Sequence, residues 1–262
     1  MAAGGAAAYR EFEALAHRLA DRAGEIQRRY FRTPVSVETK ADRSPVTIAD
    51  REAEAAMREL IAAACPEHGI LGEEHGRERT DAEFVWVLDP IDGTKSFITG
   101  RPLFGTLIAL AHAGRPVLGV IDQSILHERW VGLEGGGAAH NGRPIRVRPC
   151  PRLADAVLYS TSPRLFRADG ETAAFDRVAD RVRLPMFGGD CYAYGLLAMG
   201  FADLVVEAGL QPYDFMALVP VIEGAGGVVG DWQGRPLRLD SPGQVLAAGD
   251  ARVQAEARAL LA

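Results

Sequence analysis

Apolar positions near the N-terminus recur at three- and four-residue steps, which is the spacing of amphipathic helices. Residues 9–30 and residues 50–64 both show it, and Cys65 with Pro66 is expected to end the second helix. Three later helices are predicted over 171–182, 192–199 and 214–224. An Ala- and Arg-rich stretch at the end of the chain predicts a terminal helix. These segments would supply the helical layers of the fold.

Short apolar runs between the helices predict strands. The first strong run, FVWVLD, begins at Phe84, and the Pro- and Gly-rich segment DPIDGTKSFITG overlaps its end. The other runs are LFGTLIALA, PVLGVID, RWVGLE, VLYST, ADLVVE and VLAAG. Strands and helices alternate with short connections, so we predict a mixed α/β fold in which helices cover sheets. The 262 residues would form a single domain with two lobes, about residues 1–150 and about residues 151–262.

Composition excludes several classes of protein. Hydrophobic residues make up 48% and charged residues 24%, as in ordinary globular proteins. The net charge is -6 with acids and bases interspersed, so a nucleic acid polymer is not an expected partner. We expect neither a signal peptide nor a membrane-spanning segment, and therefore a cytoplasmic protein. Cys65, Cys150 and Cys191 lack metal-binding spacing and are expected to be reduced and structural.

The string DPIDGT at residues 89–94 carries the strongest chemical signal. Asp89 and Asp92 lie three residues apart at the end of a buried strand, where unpaired charge costs several kcal/mol. A divalent cation would compensate both carboxylates. Pro90 stiffens the turn, so that these carboxylates and the Ile91 carbonyl can converge on one point.

The second half of the string suits an anion. Gly93 lets the backbone approach a ligand closely, and the Gly93 and Thr94 amides can point at an anion. A single Asp in such a turn is ordinarily a strand end or a helix cap. The complete string of six residues favours a functional interpretation instead.

Three further acids, Asp50, Glu73 and Asp214, lie at predicted element boundaries. Each has an ordinary explanation by itself, since Asp50 and Asp214 begin helices and Glu73 belongs to a polar GEE loop. Together with the DPIDGT string they form an all-oxygen set of ligands. Such a set favours Mg²⁺ or Mn²⁺ over Zn²⁺, and Mg²⁺ also binds phosphate oxygens.

These motifs resemble those of the inositol monophosphatase superfamily of lithium-sensitive phosphatases. The resemblance rests on DPIDGT, on GEE upstream and on the string YDFMA downstream, and it covers nearly the whole chain. The segments DGTKSFITGRPLFGTLIAL and FGGDCYAYGLLAMGFADLVVEAGLQPYD resemble the histidinol-phosphatase branch more than the inositol branch. Lys95, where the inositol branch often has Thr, and Tyr213, where Trp is usual, are departures that remove no metal ligand. The resemblance implies an αβαβα sandwich and a homodimer.

The resemblance also implies roles for individual residues. Two or three Mg²⁺ ions, for which Mn²⁺ could substitute, would be held by Glu73, Asp89, Asp92, Asp214 and the Ile91 carbonyl. Asp50 and Thr94 match the pair that orients the attacking water, which Glu73 also helps to hold. Asp92, Gly93 and Thr94 match the phosphate-binding turn.

Two acids outside the metal set bear on the choice of substrate. By resemblance Glu207 reaches the alcohol part of the substrate, and Asp190 matches a position that is acidic in the histidinol branch but small in the inositol branch. Alternatively, Asp190 caps the helix that begins near Tyr192, and Glu207 is a solvated strand end. Histidinol carries an ammonium group and inositol is neutral, so this acid pair would favour histidinol phosphate. Asp190→Ala is then expected to reduce catalytic efficiency on histidinol phosphate and barely on inositol 1-phosphate.

The expected function is therefore a Mg²⁺-dependent phosphate monoester hydrolase, specifically the histidinol-phosphate phosphatase of histidine biosynthesis. An inositol-1-phosphate phosphatase is the alternative within the same metal chemistry. Nucleotide and sulfur-metabolism phosphatases are a minor alternative, because Lys95 also occurs in that branch. A catalytically silent metal-binding regulator is the alternative from another class. It is disfavoured because all the ligands and both Asp50 and Thr94 are present.

Overall fold

The computed structural model describes residues 3–39 and 45–262. Within them the helices are α1 (Ala3–Tyr30), α2 (Ile48–Ala64), α3 (Thr94–Ile98), α4 (Glu171–Ala179), α5 (Cys191–Ala198), α6 (Pro212–Phe215), α7 (Leu218–Gly224) and α8 (Ala251–Leu261). The strands are β1 (Val37–Thr39), β2 (Pro45–Thr47), β3 (Gly69–Gly72), β4 (Gly76–Glu78), β5 (Phe84–Asp92), β6 (Gly105–His112), β7 (Arg115–Gln123), β8 (Glu128–Leu133), β9 (Gly137–His140), β10 (Arg143–Pro144), β11 (Val157–Ser160), β12 (Leu184–Phe187), β13 (Leu204–Glu207), β14 (Val228–Gly230) and β15 (Val245–Ala248).

The described strands form two large sheets and a small two-stranded sheet of β1 and β2. The first sheet has the order β10-β9-β8-β7-β6-β5-β3-β4 and is antiparallel except where β3 pairs with β5. The second sheet has the order β12-β11-β13-β15-β14, with parallel pairs on both sides of β11. The first sheet lies within residues 69–144 and the second within 157–248. The division of the domain into two lobes near residue 150 stays a prediction.

The helices and the two large sheets pack through their apolar faces into five layers. The inward faces of α1 and α2 pack on one side of the first sheet. The opposite side of that sheet packs on α5 and α7, which also contact the second sheet. The outer face of the second sheet is covered by α4 and α8. The αβαβα sandwich expected from the sequence is thus confirmed.

The predicted helix over 214–224 is in fact two helices, α6 and α7. Pro220 explains the break, because its ring lacks an N–H group and would clash with the Met216 carbonyl of a continuous helix. Two glycines of the first sheet then let α7 approach closely. A Cβ on Gly119 would lie 2.0 Å from the Ala217 oxygen, and one on Gly132 would lie 2.2 Å from the Pro220 oxygen. This packing places the junction of α6 and α7 beside β5.

The other helix predictions are confirmed with small shifts in their ends. Thr47 caps α2, and Cys65 ends it with a hydrogen bond from its N–H to the Ile61 oxygen. The three cysteines are free and buried. In the described part of the chain no helix combines the length and apolar character needed to cross a membrane.

Candidate active site

The DPIDGT string lies at the end of β5, where the strand contains a bulge. Asp89 pairs with Leu107 of β6, and the pairing resumes with Asp92 opposite Gly105. β5 therefore has one more residue than β6 in this interval. Residues three apart in a regular strand face opposite sides of the sheet, and one extra residue brings them to the same side. The bulge thereby directs the Asp89 and Asp92 carboxylates to one site.

Asp214 joins these two carboxylates from α6. One oxygen from each of Asp89, Asp92 and Asp214 lies within 4.8 Å of the others. Asp214 is the third residue of α6, and its Oδ2 accepts the Gln211 N–H at 2.6 Å. The pKa values of Asp89 and Asp92 are raised well above the usual range. Burial is the largest cause, and the neighbouring negative charges are the next. Burial is also the main reason that the pKa of Asp214 is raised to about 7.

Glu73 lies beside the same cluster, on the loop after β3. Its N–H donates to the Leu88 oxygen at 3.1 Å, which attaches the loop to β5. Its negative charge and a side-chain hydrogen bond contribute to the raised pKa of Asp89. Buried Glu54 of α2 holds the loop from the other side, accepting the Glu74 N–H at 2.7 Å and the His75 N–H at 3.1 Å.

This cluster suits a hard divalent cation. Its donors are carboxylate oxygens, which Mg²⁺ and Mn²⁺ prefer. Burial and mutual repulsion penalise the ionised carboxylates, and for this reason the pKa of Asp89 is raised. A divalent cation would remove this penalty and keep the carboxylates ionised.

Asp50 and Thr94 form a pair next to the cluster. Asp50 is fully buried as the third residue of α2, and its Oδ2 accepts both the N–H and the hydroxyl of Thr47 at 2.8 and 2.6 Å. The hydroxyl of Thr94 lies 3.4 Å from Asp50 Oδ1 and 3.2 Å from the Ile91 oxygen. Burial raises the pKa of Asp50. The pair can therefore orient a small molecule that contacts the Thr94 hydroxyl.

Gly93 connects β5 to α3 in a turn that only glycine fits well. Its φ of 86° is left-handed, and a Cβ there would lie 2.9 Å from Asp190 Cγ. Asp190 occupies the N-cap position of α5 but its side chain does not cap that helix. Instead its Oδ2 accepts the Ser96 hydroxyl at 3.0 Å. Burial raises the pKa of Asp190, and this hydrogen bond and the positive charges of Arg101 and Lys95 act against that rise.

A cavity of about 240 Å³ opens beside this turn. Its lining comprises Asp92, Gly93, Thr94, Lys95, Thr161, Leu165, Asp190, Cys191, Tyr194, Glu207, Gly209, Leu210 and Asp214. Glu207 is only 3% exposed, so it is not a solvated strand end. Its Oε1 accepts the Thr161 N–H and its Oε2 accepts the Tyr194 hydroxyl, both at 2.8 Å. These two donors are uncharged, so neither neutralises the carboxylate.

Several residues that hold the site together are not among those predicted from the sequence. The Cys191 N–H donates to Asp92 Oδ2 at 2.6 Å, and Tyr194 and Thr161 orient Glu207. Cys191 follows Gly-Gly-Asp at the predicted start of a helix, and that position could have indicated a main-chain donor. The sequence offers no comparable signal for Thr161 or Tyr194.

Comparisons with known proteins find similar sequences and structures over most of the chain. A model of the inositol monophosphatase family matches residues 8–262. The bifunctional phosphatase IMPL2, chloroplastic, of Arabidopsis thaliana is 52% identical over 255 residues, which are 94% of this chain and 73% of that protein. A histidinol-phosphatase of Chlorobaculum parvum is 37% identical over 89% of this chain and 90% of its own length. The structure of an inositol monophosphatase from Zymomonas mobilis superposes with a TM-score of 0.90 at 52% identity, covering 97% of this chain and 98% of that one.

Proposed function

The chain belongs to the inositol monophosphatase family of phosphatases, and from that premise we propose that it is a Mg²⁺-dependent phosphate monoester hydrolase acting on histidinol phosphate. The observation that carries the proposal is the convergence of Asp89, Asp92 and Asp214 beside the Gly93 turn and the cavity that contains Glu207. Two similar proteins, named a bifunctional phosphatase and a histidinol-phosphatase, support it. Inositol 1-phosphate is the second candidate, because the similar structure from Zymomonas mobilis is named for that class.

We propose that Glu73, Asp89, Asp92, Asp214 and the Ile91 carbonyl hold the metal. Bound divalent cations supply positive charge that stabilises the phosphoryl oxygens and the leaving alkoxide. Asp50 Oδ2 is fully engaged by Thr47, which leaves Oδ1 to fix the Thr94 hydroxyl. The Thr94 oxygen then orients the attacking water, and Glu73 holds that water from the β3 loop. The Gly93 and Thr94 amides bind the phosphate.

The alcohol part of the substrate would occupy the cavity next to Glu207. A buried carboxylate with uncharged donors attracts an ammonium group, which histidinol has and inositol lacks. Asp190 is a weaker candidate for that partner, because Lys95 and Arg101 already face it. Its assignment to substrate binding stays a prediction, as do the homodimer and the cytoplasmic location.

A phosphate-release panel tests the substrate. We expect the purified protein with Mg²⁺ to have a higher kcat/KM on histidinol phosphate than on inositol 1-phosphate, 3′-phosphoadenosine 5′-phosphate or fructose 1,6-bisphosphate. Preference for inositol 1-phosphate would overturn the branch assignment and leave the family assignment intact. No release from any of the four substrates would contradict the catalytic function itself.

Glu207→Gln tests the basis of that preference. The change keeps the shape and removes the charge, so kcat/KM on histidinol phosphate should fall about tenfold, equivalent to a net loss of about 1.4 kcal/mol. On inositol 1-phosphate the change should be less than about threefold, because a neutral alcohol needs only hydrogen bonds. Asp190→Asn is the matched variant and should have the smaller effect on histidinol phosphate. Equal losses on both substrates would show that Glu207 does not select an ammonium group.

A further inference from the structure

A cluster of buried polar side chains lies behind the bulge of β5. Gln27 of α1 is 0% exposed, and its Nε2 lies 2.7 Å from the Pro90 oxygen and 2.5 Å from Thr106 Oγ1. Thr106 Oγ1 itself donates to the Pro90 oxygen at 3.0 Å. The Ser124 hydroxyl donates to Gln27 Oε1 at 2.6 Å. We call Gln27, Thr106 and Ser124 the Gln27 cluster.

The amphipathic pattern of α1 does not explain a glutamine at this place. The neighbouring inward positions, Leu19, Ala23 and Ile26, are apolar and pack in the core beneath the first sheet. Burial of an amide is costly unless its hydrogen bonds are made, and every polar atom of the Gln27 side chain has a partner here. One of these partners is the backbone of the DPIDGT string.

The Pro90 carbonyl lies within the bulge, between the ladder pairs at Asp89 and Asp92. A buried carbonyl needs a donor, and here side chains from α1 and β6 provide two. The Pro90 carbonyl accepts from Gln27, whereas the Ile91 carbonyl accepts from the Thr94 hydroxyl, which also lies 3.4 Å from Asp50 Oδ1.

We infer that Gln27 is a positioning residue of the metal site, acting through the Pro90 carbonyl to hold the bulge that brings Asp89 and Asp92 together. Gln27 touches neither substrate nor metal in this arrangement. Its effect is to keep the carboxylates and the Ile91 carbonyl converged when no cation is bound. The inference rests on the proposed metal-dependent function.

Calorimetric titration with Mg²⁺ in the absence of substrate tests the inference directly. Gln27→Met keeps the length of the side chain and removes its hydrogen bonds. We expect the Mg²⁺ dissociation constant to rise about tenfold, as is usual when a group that orients metal ligands is lost. At saturating Mg²⁺, kcat should stay within about twofold of wild type. Thr106→Val should weaken Mg²⁺ binding in the same direction, whereas Thr106→Ser keeps the hydroxyl and should bind as wild type does.

Ile26→Val is the matched control, since Ile26 is the preceding buried residue of α1 and packs only in the core. It should lower thermal stability and leave the Mg²⁺ dissociation constant unchanged. Wild-type Mg²⁺ affinity in Gln27→Met and Thr106→Val would overturn the inference while leaving the proposed function intact. If Gln27→Met does not fold, Thr106→Val with its serine counterpart decides. A wild-type protein that binds neither Mg²⁺ nor Mn²⁺ would overturn the metal site and the inference together.

Discussion

Asp92→Asn is expected to lower kcat by about 10³-fold while the fold is retained. Asp92 is proposed both to hold a cation and to border the phosphate turn, and charge stabilisation by a bound cation contributes several kcal/mol to the transition state. Each 1.36 kcal/mol corresponds to a factor of ten in rate. The asparagine side chain keeps the shape and can still accept the Cys191 N–H, which now reaches Asp92 Oδ2 at 2.6 Å. A steady-state assay over a range of Mg²⁺ concentrations measures the effect.

A second measurement separates this loss from simple damage. Without metal, the variant has one negative charge fewer beside Asp89 and Asp214, so its melting temperature should exceed that of the metal-free wild type. Added Mg²⁺ should then raise the melting temperature of the variant less than that of the wild type, because weaker binding gives less stabilisation.

Asp176→Asn provides the matched control, since Asp176 is exposed on α4 in the outer layer. Its activity and its response to Mg²⁺ should equal those of the wild type. Chelation should abolish wild-type activity, and added Mg²⁺ or Mn²⁺ should restore it. Full activity of metal-stripped wild type in the presence of chelator would falsify the metal mechanism.

Thr94→Ala is expected to lower kcat by about 10²-fold with little change in KM. Its hydroxyl is the proposed contact to the attacking water, held by Asp50 Oδ1 at 3.4 Å and the Ile91 oxygen at 3.2 Å. Loss of one preorganised hydrogen-bonding group typically lowers kcat by 10²–10³-fold. The lower value fits Thr94, which orients the water and carries no charge. A group that matters mainly in the transition state changes kcat more than KM.

Thr94→Ser is the conservative counterpart, because it keeps the hydroxyl and loses only a methyl group. It should recover most of the activity, and calorimetry should show wild-type Mg²⁺ binding in both variants. A rise in KM alone for Thr94→Ala would identify Thr94 as a binding residue. Loss of Mg²⁺ binding would assign its effect to the Ile91 carbonyl instead.

Local pattern was sufficient for the main helices, for seven of the fifteen strands that the structure describes and for the choice of candidate ligands. The helix spacing of 9–30 and 50–64 depends only on which positions are apolar, and the layered fold follows because each such face must be covered. The all-oxygen character of the site also follows from residue type alone. The prediction of a single helix over 214–224 was wrong, although Pro220 was a local signal that could have corrected it.

Tertiary structure decided the position of each side chain whose partners are distant in the sequence. Asp89 and Asp92 face one site only because β6 pairs out of register around them, and Asp214 reaches them because two glycines of the first sheet let α7 pack closely. Glu207 was ambiguous as the end of a strand, and its burial follows from the layers that enclose it. Nothing in the sequence indicated a role for Gln27, since the Pro90 carbonyl that it binds lies sixty-three residues away. The sequence by itself determined which groups are available and which local segments they occupy. The convergence of these groups required the packed fold, because the burial of a side chain and its contacts depend on elements that are distant in sequence.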